Sequence, residues 1–313
     1  MGGNAFPHLN LVRVKREDVL PTVKFVVDTL QVEGFTYEYA KAHLMGSAGK
    51  QADSGDLDFA MNDRQARLVD EPVLPVFSLR ALAARAREAL PDGHVMSKTL
   101  KGGQFQTAFP VAGDPAKGYV QVDFVAGYPR WLMFSHFSPG LDVSPFKGVA
   151  ISTLMGVLAK LRKDFEAYRD GTFAVGEDTR GFYLENDLVR ERVARVGLHY
   201  DLEKGLYRKW QVQSRPGHGL SDVGADAFET TVSPAPRFTR LGYVTEPEAV
   251  LALLFGHEVA VRDVDTFEKM VAVVKEFMPH RVEEVKERFT EAFRRSSGNG
   301  GNGPESLFEE VWK

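Results

Sequence analysis

The stretch His43-Leu44-Met45-Gly46-Ser47-Ala48-Gly49-Lys50-Gln51-Ala52-Asp53-Ser54-Gly55-Asp56-Leu57-Asp58-Phe59-Ala60-Met61 decides the fold. An apolar run leads into a Gly-Ser pair, a loop of small and polar residues follows, and two aspartates one residue apart open a second apolar run. This spacing predicts a short buried strand over residues 42–45, ended by the Gly46-Ser47 turn, and a second strand over residues 57–61. The amides and hydroxyl of such a turn suit phosphate oxygens. Side chains two apart on a strand share a face, so Asp56 and Asp58 point one way while Leu57 and Phe59 point into the core.

Two carboxylates side by side repel each other unless they share a proton or hold a cation. Magnesium suits them, because it takes hard oxygen ligands and is often bound by one or two carboxylates plus substrate phosphates. A pair of such ions about 3.5–4 Å apart clamps the attacking and leaving oxygens of an in-line displacement, and a third carboxylate is then expected. Tyr119-Val120-Gln121-Val122-Asp123-Phe124-Val125-Ala126 supplies it. Val120, Val122, Phe124 and Ala126 form an apolar face that leaves Asp123 on the opposite side. Asp123 is the expected general base or bridging ligand, and Asp56, Asp58 and Asp123 are the expected catalytic and metal-binding set.

In order and type, Gly46-Ser47, Ser54-Gly55-Asp56-Leu57-Asp58 and Asp123 resemble the DNA polymerase beta-like nucleotidyltransferase superfamily, over roughly residues 30–125. The resemblance implies a mixed sheet backed by helices, two Mg2+ ions with Mn2+ as a substitute, and a nucleoside triphosphate donor. Eight residues separate Ser47 from Asp56, the short end of the family spacing, and the basic residues usual after Gly-Ser are reduced to Lys50. The helix-hairpin-helix modules of templated polymerases are not recognisable, which points to untemplated transfer. The expected reaction moves a nucleoside monophosphate from an NTP or dNTP to a hydroxyl acceptor, foremost an RNA or DNA 3' end, with pyrophosphate leaving. Small molecules and proteins are the rival acceptors, and a non-catalytic nucleic-acid-binding or assembly protein is the rival of another class.

Outward from this stretch the chain reads as α+β. Before it, residues 19–31 carry apolar side chains at helical spacing with Asp18 placed as cap and Gly34 beyond the end. After it, residues 78–90 read as an alanine-rich helix, and 105–111 and 119–126 as a hairpin-like strand pair. A further helix starts at Ser144-Pro145 and keeps its apolar period from Phe146 to Tyr168. Helices are expected over 182–196, 246–255, 264–278 and 282–294. The organisation expected is a catalytic domain over 1–145, a mostly helical acceptor domain over 146–295, and a flexible linker and tail over 296–313. Leu307, Phe308, Val311 and Trp312 give the tail an apolar face for the body or a partner.

Among 313 residues, 43% are hydrophobic and 26% charged, the balance of a globular protein able to bury a sizeable core. The net charge of -4 arises from 39 basic and 43 acidic residues, so any nucleic-acid surface has to be a local basic patch. The absence of cysteine excludes disulfides and thiolate metal sites. No apolar run approaches the roughly 20 residues that cross a bilayer, and no signal-peptide pattern opens the chain; a cytoplasmic protein without a membrane partner is expected.

Weaker candidates accompany the aspartates. With Gly46 and Ser47, the lysines Lys50, Lys98, Lys101 and Lys147 are candidate triphosphate ligands, against the plain reading of exposed loop lysines. A P-loop is rejected because Leu44 and Gln51 stand where it needs glycine and Ser or Thr. Tyr128, Trp131, Phe134 and Phe137, with Arg130 and His136, can stack on a base or pack a core. Arg190, Arg192, Arg195, Arg208 and Lys209 offer a basic face for a nucleic-acid strand or a solvated helix face.

Overall fold

The computed structural model describes residues 5–62, 75–96, 103–140, 143–144, 146, 148–161, 174–175, 182–183, 192–214, 244–296 and 305–313. Chain order runs β1 (Val14–Lys15), α1 (Arg16–Leu30), α2 (Tyr37–Ala42), β2 (Asp53–Ser54), β3 (Asp56–Asn62), α3 (Leu79–Ala89), β4 (Gln104–Pro110), β5 (Tyr119–Gly127), α4 (Pro129–Ser135) and α5 (Gly148–Leu161). The second half adds β6 (Ala174–Val175), β7 (Phe182–Tyr183), β8 (Arg192–Asp201), β9 (Gly205–Ser214), α6 (Pro247–Phe255), α7 (Phe267–Phe277), α8 (Val282–Ser296) and α9 (Glu305–Trp312). Mixed helix and sheet, as expected for α+β, is what the chain builds.

The first sheet has the order β3-β5-β4, with β3 parallel and β4 antiparallel to β5. Strict alternation assigns its two faces. Leu57, Phe59, Phe105, Phe109, Val120, Val122 and Phe124 are buried together with Val19, Val23, Val26 and Leu30 of α1 and Leu82, Ala83 and Ala86 of α3. Each such apolar side chain contributes roughly 1.5–3 kcal/mol on burial. The other face is divided along its length. Near the strand starts it carries Asp56, Asp58 and Asp123; farther on, Ala60 and Val125 join Met45 and Leu132 in a small apolar cluster under α4.

Several expected elements hold. Ser78 caps α3, its Oγ accepting from the Ala81 amide, and β4 and β5 form the antiparallel pair around the 113–115 turn. Other details differ. Asp18 does not cap α1, which starts earlier after Lys15; it stays in the first turn beside the positive helix end and pairs with Lys117 at 2.7 Å. The helix ends on Gln31 in the left-handed region rather than at Gly34. The strand expected over 42–45 shrinks to a bridge between Leu44 and Phe59, because Thr36 caps α2 and carries the helix through Ala42.

The larger correction concerns the helix expected over 182–196. Phe182–Tyr183 and Arg192–Asp201 are strands, in a four-stranded antiparallel sheet of order β6-β7-β8-β9. The β8–β9 ladder pairs every residue from Arg192 opposite Ser214 to Asp201 opposite Gly205. Val193 and Val196 favour strands, Gly197 opposes a helix, and the long hairpin partner overrides helical spacing. The second half is therefore sheet and helix together rather than mostly helical, and Arg192, Arg195, Arg208 and Lys209 lie on strands rather than on a helix. Arg190 falls outside the described residues, as does the stretch from 162 to 168 of the expected long helix.

A second apolar core joins α5, α6, α7 and α8 with Leu198 and Leu206 of the hairpin and Trp312 of α9. The C-terminal helix docks on the body: Phe308 meets Phe146, Phe267, Phe289 and Phe293, and Trp312 meets Phe267 and Phe289. Lys275 Nζ donates to the Val311 carbonyl and Lys286 pairs with Glu309. Of the expected linker over 296–303, Ser296 belongs to α8 and the rest lies outside the described residues. Trp131 and the hairpin turn hold the halves together, since Trp131 Nε1 and Ser135 Oγ both donate to the Leu202 carbonyl. Among the described residues no helix is long and apolar enough to cross a membrane.

Candidate active site

Strand register brings the expected carboxylates together. In the parallel pair β3–β5, Asp56 stands opposite Gln121 and Asp58 opposite Asp123, and Gln106 of β4 faces Asp123 from the other side. All five side chains belong to one face because each pair is two residues from the next. Gln121 is 4% exposed and Asp123 9%, whereas Asp56 and Asp58 are half-buried.

The electrostatics follow from this crowding. Burial raises Asp56, with Arg13 opposing. Burial, then the neighbouring Asp56 and Asp123, pushes Asp58 well above the usual carboxylate range. Asp123 is pushed up to about 6 by burial, and the amides of Gln121 and Gln106 pull it back. All three acids thus resist ionisation, each chiefly because burial disfavours the charged form.

Gly46 lies beside the carboxylates at the start of the loop over residues 46–55. The Met45 amide donates to the Asp58 carbonyl at 2.8 Å, which runs the turn past the start of β3. Gly46 has φ +66, and a Cβ built on it would lie 3.4 Å from Asp58 Oδ2. Glycine is favoured here by its left-handed backbone, while the carboxylate lies at an ordinary contact distance from where a Cβ would stand. Ser47 and Ser54 share a hydroxyl hydrogen bond of 3.0 Å across the loop. Arg16 fastens the loop's far end, donating to the carbonyls of Lys50 and Gln51.

The expected lysines fare differently. Lys50 donates to the Gly46 carbonyl at 3.1 Å and lies over the Phe137 ring, 4.7 Å from its centroid, with its pKa lowered by burial. It supports the Gly-Ser turn from beneath. Lys98, Lys101 and Lys147 lie outside the described residues. Of the aromatic group, Trp131 is fully buried and packs on Phe134 and Tyr200, so it builds core rather than stacking on a base. Arg130 pairs with Glu246 and Glu248.

Residues absent from the sequence reading are Gln106 and Gln121. Gln121 Nε2 donates to both Asp123 oxygens, at 2.9 and 3.1 Å, and Gln106 Nε2 donates to Oδ2 at 3.2 Å. Their signal was present as polar side chains at period two on strands that are otherwise apolar. Among the described residues, no group of three His, Cys, Asp or Glu side chains, the three aspartates included, is arranged so that it could hold a metal ion as it stands. The donor set nevertheless fits Mg2+ or Mn2+ in its chemistry, being all carboxylate oxygen and mutually repelling.

Neither a protein-family model, nor a curated protein, nor a solved structure matches this chain.

Proposed function

We propose that this chain is a metal-dependent nucleotidyltransferase that moves a nucleoside monophosphate from an NTP or dNTP to a hydroxyl acceptor and releases pyrophosphate. The observation that carries the reading is the register of β3 with β5. It sets Asp58 beside Asp123 and Asp56 beside Gln121, next to a glycine turn built against Asp58. The order Gly-Ser, Asp-x-Asp and later strand aspartate, which resembles the DNA polymerase beta-like superfamily, supports the same assignment.

Asp56 and Asp58, with Asp123, are the residues that would hold Mg2+ or Mn2+. Bound there, the ions would neutralise the carboxylates and stabilise charge developing on the transferred phosphoryl group. The turn at Gly46 and Ser47 offers amides and a hydroxyl to the triphosphate. Asp123, its carboxylate held by the amides of Gln121 and Gln106, is the group that would accept the acceptor hydroxyl's proton. The sheet's apolar face against α1 and α3 keeps these groups in register.

The test is incubation with each labelled NTP and dNTP, Mg2+ or Mn2+, and a panel of acceptors: RNA and DNA 3' ends, aminoglycosides and the protein itself. The expected result is extension or labelling that disappears in Asp58→Ala and Asp123→Ala. Absence of product with every acceptor would sink the reading, and oligonucleotide binding without turnover would instead make this a binding protein.

A further inference from the structure

We infer that Gln121 is the positioning residue for Asp123, and that the main-chain amide of Ala5 fixes Gln121 in turn, making the N-terminal segment part of the frame of the cation site. The inference rests on the proposed function for the reaction, and on the carboxylate face alone for cation binding.

Ala5 N–H donates to Gln121 Oε1 at 3.0 Å, across 116 positions of sequence. A primary amide has one acceptor oxygen and one donor nitrogen. Once the oxygen is taken by a main-chain N–H, the nitrogen has to face Asp123, where it meets both carboxylate oxygens. The opposite amide orientation sets oxygen against carboxylate and N–H against N–H, so the Ala5 contact removes the ambiguity. Gln106 reaches a single Asp123 oxygen.

The segment that supplies this N–H is itself anchored. Phe6 is 1% exposed, and the Leu9 amide donates to the Phe6 carbonyl. Tyr119 N–H donates to the Asn10 carbonyl and Val12 N–H to the Tyr119 carbonyl, so the segment is laced to the first residue of β5. Gln121 and Asp123 lie on the same strand, two and four residues further on. The chemistry of the clamp also fits its place. Neutral amides orient a carboxylate without neutralising it, whereas a lysine or arginine would pair with Asp123 and compete with a divalent cation.

The experiment measures Mn2+ affinity by electron paramagnetic resonance of free Mn2+, and kcat and KM on whichever acceptor the wild type uses. The variants are Gln121→Leu, Ala5→Pro, Gln106→Leu and the double variant Ala5→Pro/Gln121→Leu, with circular dichroism as the check of folding. Loss of a hydrogen bond that orients a metal ligand typically weakens binding about 10–100-fold. Gln121→Leu and Ala5→Pro are expected within that range, Gln106→Leu at the lower end, and the double variant no weaker than Gln121→Leu. That non-additivity is what a route through Gln121 requires and a merely structural role would not produce. Wild-type Mn2+ affinity in Gln121→Leu, or full additivity in the double variant, overturns the inference even if transfer is seen. Absence of transfer with the non-additive pattern intact overturns the proposed reaction and leaves the positioning role standing. A wild type that fails to bind Mn2+ overturns both.

Discussion

Asp58 and Asp123 stand directly opposite each other in the parallel pair β3–β5, on the sheet face turned away from α1 and α3. Burial, and then the neighbouring Asp56 and Asp123, make Asp58 resist ionisation, so a charge forced onto it here costs the fold stability.

Replacing Asp58 is therefore expected to separate stability from activity. Asp58→Asn keeps the shape and removes a repelled charge, so the cation-free protein melts at the same or a higher temperature. Transfer falls by at least about 10²-fold, the scale for losing one group that stabilises transition-state charge. Differential scanning calorimetry beside a turnover assay decides it; a lower melting temperature together with retained turnover contradicts the assignment.

The pH dependence has a definite sign. Asp123 is at about 6 in the folded chain against 3.8 for an ordinary aspartate, so the folded state binds more protons than the unfolded state between these values. Stability contributed by the protonated form is present below about pH 4 and is lost as pH rises through 6, by roughly 3 kcal/mol for this group. Asp56 and Asp58 shift in the same direction. Added Mg2+ or Mn2+ should raise the melting temperature strongly above about pH 6 and little near pH 4, because the ions bind the ionised carboxylates. Equal stabilisation at both pH values would place the cation elsewhere.

At Gly46 it is the backbone that calls for glycine, beside the Asp58 carboxylate. Gly46→Ala forces a Cβ onto a residue with φ +66 and sets it 3.4 Å from Asp58 Oδ2. A loss of about 1–2 kcal/mol is expected from the left-handed conformation. Transfer should fall as well, through displacement of the Gly-Ser turn. Urea denaturation measures the first effect and KM for the triphosphate the second. An unchanged KM would detach the turn from phosphate binding.

The C-terminal helix is expected to behave as part of the second core. Trp312 is 5% exposed against Phe267 and Phe289, and Trp312→Ala should cost about 3 kcal/mol. Removing residues 305–313 exposes the aromatic groove around Phe146, Phe267 and Phe289 and should increase binding of an apolar dye. A truncated chain as stable as the full one would show that the docking contributes nothing.

Local pattern was enough for the strand bearing Asp56 and Asp58, the β4–β5 hairpin, the ends of α3 and the helices from α6 to α8. It also placed each aspartate on the less apolar side of its strand. All of these rest on alternation or helical spacing within a dozen residues, with Gly, Pro and Ser marking the ends. The sequence alone thus determined the identity of the three carboxylates and the Gly-Ser turn.

Tertiary structure decided what depends on partners far along the chain. Whether Arg192–Asp201 is helix or strand was settled by Gly205–Ser214 pairing with it residue by residue, a contact that no local period reveals. The adjacency of Asp58 and Asp123 came from the register of β3 on β5, 65 positions apart by their numbers. The grip of Gln121 on Asp123 came from its strand, and the orientation of that amide from Ala5. Local chemistry selects which residues can react, but only the ladder of strand hydrogen bonds and the packing of distant segments determine which of them meet.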